Sequence, residues 1–156
     1  VATLENYFTS SNYDYKNLLE VLSLQLIFQI LLFYQTILKM KSFYVHRDLK
    51  IDNILLYDLP SHSIKQSITI ADKEYMVDIN TPIIFKINDF ERSDTESKNW
   101  KWSEDIKFLF YSIKHYKNLI LPKVLYDTLD IEGDIEYKTL ETILTDKIFN
   151  IFMTPV

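Results

Sequence analysis

The chain has 156 residues, 47% of them hydrophobic and 25% charged, which is the balance of a folded domain with one sizeable core and excludes a disordered tail or linker. A formal net charge of −5 without any clustered Lys and Arg excludes a general nucleic-acid-binding role, because phosphate neutralisation needs a local cationic excess. No cysteine is present, so disulfides and thiol chemistry are excluded and a reducing compartment fits, and the scattered His46, His62 and His115 have no zinc-site spacing.

In chain order, the first residues lack the basic and then apolar pattern of a signal peptide, and Val1 in place of an initiator Met leads to the expectation that the chain starts inside a domain. Residues 18–40 are apolar for long enough to span a membrane, yet Glu20, Gln25, Gln29 and Gln35 recur along them and no basic flank anchors them. A buried central helix over about residues 17–41 is therefore expected. A short β-prone run, 43–45, leads into the polar stretch 46–53, and residues 54–57 leave it as a second β-prone run. Pro60 and Ser61 mark a turn, after which 67–70, 74–79 and 82–87 have strand patterns, with 71–73 as the break of a hairpin. Residues 88–102 are polar and irregular apart from Trp100 and Trp102, which are expected to anchor in the core. A helix is expected from Ser103, whose hydroxyl would cap it, with Glu104 and Asp105 in its first turn and Ile106, Leu109, Phe110 and Ile113 on its apolar face. Residues 119–152 support two more short helices, broken near Pro122 and near Gly133, the single glycine. The expected fold is mainly α, with a long buried helix and a small β-hairpin region, α+β overall, in one domain over residues 1–156.

The polar stretch carries the chemistry. His46-Arg47-Asp48-Leu49-Lys50 with Asn53 matches the pattern H-R-D-L-x-x-x-N, and after a downstream strand Asp89-Phe90-Glu91 comes close to D-F-G. In this order, and preceded by a long apolar helix, the two motifs resemble the lower lobe of a eukaryotic-type protein kinase of the serine/threonine class. The resemblance implies a kinase C-lobe fold and phosphoryl transfer from ATP with Mg2+, in which the protein mainly positions reactants and neutralises charge. It implies Asp48 as the base that meets the acceptor hydroxyl and Lys50 beside the transferring phosphate. Asn53 and Asp89 would supply the oxygen ligands that a hard cation prefers. It implies Leu55 as the floor of the adenine site. Structural roles fall to His46 and Phe90, largely buried in the apolar column that links the lobes, and to Arg47 and Asp105, the latter bracing the catalytic-loop backbone. For Asp105, helix capping alone is an equal explanation.

The sequence also departs from the pattern. One glycine cannot build the phosphate-covering loop of the upper lobe. The resemblance starts near residues 1–8 and covers the lower lobe only, so the N-lobe is expected from the parent chain or a partner. The 36 positions from Asn53 to Asp89 imply a hairpin insertion at 61–82, and the 16 from Asp89 to Asp105 leave little activation segment and no A-P-E. Glu91 takes the place of the motif glycine. Together with the Lys, Ile, Asn and Tyr-rich composition, these features resemble the divergent kinases of large DNA viruses, which implies a cytoplasmic location, in the host if viral. The substrate is then a protein hydroxyl or that of a small molecule, with no membrane and no nucleic acid as partner. Two alternatives stand beside catalysis on proteins: a pseudokinase or interaction module, and a small-molecule phosphotransferase on a kinase-like lobe.

Overall fold

The structure, a computed structural model, describes residues 2–3, 16–41, 43–58, 63–79, 83–96, 100–114, 121–129 and 139–156. The predicted N-terminal start at 1–8 lies almost wholly outside them, as do His62, His115, Gly133 and the ends of the predicted insertion at 61–62 and 80–82.

Helix α1, Lys16–Met40, is the spine of the fold, and it starts and stops one residue earlier than its composition implied. Leu22, Leu26, Ile27, Phe28, Ile30, Leu31 and Tyr34 are all essentially inaccessible, so the helix is wrapped by protein on most sides. Its stretch Val21–Met40 is long and apolar enough to cross a membrane, but its apolar face is already occupied. The glutamines that interrupt it have structural work. Gln25 Nε2 donates to the Ile83 carbonyl and Gln29 Oε1 accepts from the Phe85 N–H, one helical turn apart, so they satisfy the outer edge of a β-strand that would otherwise be left unpaired.

That strand belongs to a three-stranded antiparallel sheet of β1 (Ala2–Thr3), β2 (Ile54–Asp58) and β5 (Ile83–Ile87), in the order β1-β2-β5 with Ile54 opposite Ile87. Between β2 and β5 the chain makes the hairpin of β3 (Ile64–Ile70) and β4 (Lys73–Ile79). Ala71 and Asp72 form its two-residue turn with φ of 48° and 61°, the left-handed pair that matches strand twist, although neither residue is glycine. Lys73 is the first strand residue rather than part of the break. A C-terminal strand, β6 (Met153–Pro155), joins β4 to make a second three-stranded sheet. Its short run had no strand signature in the sequence. Phe149 and Phe152, each 5.3 Å from the Phe28 ring, fasten this end of the chain to α1.

Helix α2, Trp102–Lys114, buries Ile106, Leu109, Phe110 and Ile113 as its spacing required. It begins one residue before Ser103, so Ser103 is a buried residue inside the first turn and not the expected cap. Two short helices, α3 (Lys123–Leu129) and α4 (Leu140–Leu144), follow, and Thr139 caps α4 by accepting from the Thr142 N–H. The run 43–45 is not a strand. Its one ladder contact is an isolated bridge from Val45 to Asp94, because the short segment after Asp89 offers no longer partner. The described architecture is thus α+β: helices and two small antiparallel sheets around α1.

Candidate functional site

The stretch 46–53 leaves α1 and enters β2 through a single 3₁₀ turn, Ile51–Asn53, with Leu49 and Ile51 buried beneath it as apolar anchors. The loop is therefore gripped from below while its polar groups bond to one another and to distant residues. Asp105, on the first turn of α2 and fully buried, is the largest of these supports. Its Oδ2 accepts from the His46 N–H at 2.7 Å and from the Tyr34 hydroxyl at 2.5 Å. Its Oδ1 accepts from the Arg47 N–H at 2.8 Å and from Trp100 Nε1 at 2.9 Å. A buried carboxylate with four donors is a compensated one, since the desolvation of its charge is offset by charge-assisted hydrogen bonds. Tyr34, supported in this way, has its hydroxyl pushed well above the usual phenol range by burial first and by the neighbouring Asp105 charge second. Tyr44, on the same side, rises to about 12, chiefly through burial and then through Asp105.

His46 is fully buried and uses both ring nitrogens. Nδ1 accepts from the Asp48 N–H at 3.3 Å, which leaves Nε2 protonated to donate to the Asn88 carbonyl at 2.9 Å. The Asn88 N–H in turn donates to the Asn53 carbonyl at 2.8 Å. These two bonds hold the Asp89 turn against both ends of the loop, so the structure brings the two sequence motifs together. Both contain a strained backbone: Arg47 and Asp89 have φ of 66° and 60°, uncommon for residues with a Cβ.

Asp48 is the focus of the loop, with its side chain 12% exposed. Asn53 Nδ2 donates to the Asp48 carbonyl at 2.8 Å and to its Oδ2 at 3.0 Å, and Lys50 Nζ is 3.4 Å from the same Oδ2. Because the Asn53 amide nitrogen is spent on Asp48, its Oδ1 is the end left to accept a cation. Asp89 is exposed. An amide oxygen and a carboxylate are donor types that Mg2+ takes, and Asp89 follows directly on Asn88, whose N–H bonds to the Asn53 carbonyl. Among the described residues no cluster of three or more His, Asp or Glu forms a self-sufficient metal cage. Leu55 is half-buried on the sheet face opposite Ile54 and Leu56, beside Thr3 and Lys86 in register, where a flat apolar group could rest on it.

Phe90 departs from expectation. Its ring meets His46 at 5.4 Å, as two members of a stacked column would, but it is 47% exposed instead of buried. It also lines a partly open, apolar cavity of 280 Å³ with Gln29, Phe33, Ile54 and Ile87.

Two residues that sequence reasoning passed over complete the site. Asp94 pairs with the Arg47 guanidinium at 2.8 Å while exchanging backbone hydrogen bonds with Val45 at 3.0 Å, which pins the segment after Asp89 to the start of the loop. Arg92 Nη1 lies 4.0 Å from Asp48 Oδ1. Neither position has a fixed spacing from its partner, since the left-handed turn at Asp89 decides where they fall, and no pattern in the sequence could have found them.

A polar loop braced by a buried carboxylate from a following helix and tied to a D-F-G-like turn is what this fold and site present. The model of the poxvirus serine/threonine protein kinase family matches residues 6–152, nearly the whole chain, and the chain belongs to that family. No curated protein and no solved structure matches it.

Proposed function

We propose that this chain is the lower, catalytic lobe of a protein kinase that transfers the γ-phosphoryl group of ATP to a serine or threonine hydroxyl. The observation that carries the reading is the environment of Asp48, a nearly buried carboxylate whose Oδ2 is fixed by Asn53 and Lys50 within a loop braced by Asp105. Holding one oxygen leaves the other as the acceptor for a proton, which is the geometry a general base needs.

In the proposed reaction the substrate hydroxyl oxygen forms a bond to the γ-phosphorus as the bond from that phosphorus to the β,γ-bridging oxygen breaks. ADP leaves with the electron pair, and the hydroxyl proton passes to Asp48. Lys50 neutralises charge that spreads over the transferring oxygens, and Leu55 supports the adenine. Asn53 Oδ1 and Asp89 would hold Mg2+, whose contribution is to neutralise the phosphates and align them. The remaining enclosure of ATP would come from the N-lobe of the parent chain or from a partner.

The test is incorporation of labelled phosphate into a mixed protein acceptor by the full-length protein, beside its Asp48→Asn variant. Removing the base is expected to lower transfer by about 10²-fold or more. Equal labelling by both proteins rejects the reading. The 16 positions between Asp89 and Asp105 leave little room for an extended peptide platform, which favours small-alcohol acceptors as a second reading. Replacing the protein acceptors by candidate small alcohols in the same assay separates the two.

A further inference from the structure

We propose that Arg92 selects the acceptor: an acidic side chain next to the reacting hydroxyl, an Asp or Glu of an acidic peptide, binds Arg92 and draws it away from Asp48. The inference rests on the phosphotransfer reading above and adds to it the chemistry of the substrate. Its starting point is the division of labour between the two Asp48 oxygens. Oδ2 is held by Asn53 and Lys50, whereas Oδ1 has Arg92, at 4.0 Å, as its one polar neighbour among the described residues. The oxygen that would take the substrate proton is therefore the one that Arg92 screens.

The screen is a loose one. The Arg92 side chain is 72% exposed, and a pair at 4.0 Å in such surroundings is weak, so displacement meets little resistance. Among the described residues the guanidinium has no second partner, which leaves most of its planar fork of donors for a ligand, and a carboxylate matches that fork bidentately. Room exists beside it, in a groove of about 600 Å³ lined by Arg47, Glu91, Arg92, Ser93, Asp94 and Trp100. Four of these are already engaged: Arg47 with Asp94 at 2.8 Å, the Ser93 hydroxyl with the Phe90 carbonyl, and Trp100 Nε1 with Asp105. In a chain of net charge −5, the rim of Asp48 is locally cationic, with Lys50 and Arg92 each within 4.0 Å. An acidic acceptor arriving there gives Arg92 a better partner and uncovers Oδ1 in the same movement. A neutral acceptor has to uncover Oδ1 without that exchange. Glu91 lines the same groove and opposes an incoming carboxylate, so its charge sets how strong the preference becomes.

The experiment uses the full-length protein and pairs of serine peptides that differ only in whether the flanking residues are Asp and Glu or Asn and Gln. The acidic member is expected to have a kcat/KM about tenfold higher, carried mainly by KM, as one charge-assisted contact would give. Arg92→Gln should bring the ratio to within about twofold of one, Arg92→Lys should keep part of it, and Glu91→Gln should raise it. Binding of the same peptides, labelled with a fluorophore and followed by anisotropy, is measured in parallel. A preference that survives Arg92→Gln, or no charge preference in either readout, overturns the proposal. Phosphate transfer without charge preference defeats the Arg92 inference and leaves the kinase reading standing. Acidic peptide binding that is lost in Arg92→Gln, without transfer to any peptide, does the reverse.

Discussion

The loop at 46–53 and the hairpin of β3 and β4, which is twice as long, are held by opposite means. In the hairpin, seven consecutive residue pairs from Ile64↔Ile79 to Ile70↔Lys73 lie opposite each other along one ladder, all within one short stretch of chain, and most of the β3 side chains face water. In the loop, the decisive partners are remote: Asp105 is 59 positions from His46, and Asn88 is 42 from it. A ladder distributes its stability over many equivalent bonds, so that no single one is critical. A braced loop concentrates it in one buried carboxylate, and that is the cost of presenting polar groups in a fixed, non-repeating geometry. The contrast says where this molecule should be fragile.

The largest expected effect is therefore at Asp105. Asp105→Ala leaves the His46 and Arg47 N–H groups, the Tyr34 hydroxyl and Trp100 Nε1 without their acceptor. Since each buried orphan donor costs about 1–3 kcal/mol before relaxation, a total loss of roughly 3–5 kcal/mol is expected in urea denaturation. Ser103→Ala, at the same helix end but outside the network, should cost less than about 1 kcal/mol. Equal losses would mean that Asp105 acts only as a helix-end residue and that the loop is not braced.

A second test uses alkali on the same network. Burial, then the Asp105 charge, raises the Tyr44 hydroxyl to about 12 and Tyr34 in the same direction. A folded-state value above the unfolded value, about 10 for a phenol, means that the folded chain holds its proton more tightly. This contribution to stability is complete below about pH 10 and is lost as the pH rises from there towards 12. Stability against urea should fall across that window, and Tyr44→Phe should flatten the fall. An unchanged slope in the variant would remove Tyr44 from the account.

The smallest effect belongs to the hairpin. Ala71 occupies the left-handed region with φ of 48°, where a Cβ is unfavourable, so Ala71→Gly should stabilise by about 0.5–1 kcal/mol. Its amide exchange should slow in β3 and β4 alone. Slower exchange at 46–53 would show that the two regions are coupled and that the contrast between them is too sharply drawn.

Much of the fold could be read because it rests on periodicity. The apolar run of α1, the alternation in β3, β4 and β5, and the face of α2 each follow from spacing, and their ends moved by only a few residues. Strand β6 escaped because three residues carry no period, and its pairing with β4 depends on Phe149 and Phe152 docking on Phe28. The two polar motifs were legible because they are runs of fixed residue types in a fixed order, and the Asn88 bonds to His46 and Asn53 bring them together. Asp94 and Arg92 were not, since an ion pair across a turn leaves no spacing to detect. Phe90 was expected to be buried because a column residue needs covering on both sides, and here it meets the His46 ring but also lines a partly open cavity and is 47% exposed.

By itself, then, the sequence determined the long core helix, the hairpin, the membership of chemical groups in one loop and the family to which they belong, because side-chain period and residue type are local properties. Only the tertiary structure decided that Asp105 binds the loop backbone instead of capping a helix and that Gln25 and Gln29 close a strand edge. It also decided which Asp48 oxygen is held and which is screened. Each of these depends on the direction of a donor or acceptor relative to a partner tens of residues away, and direction is settled only when the core packs.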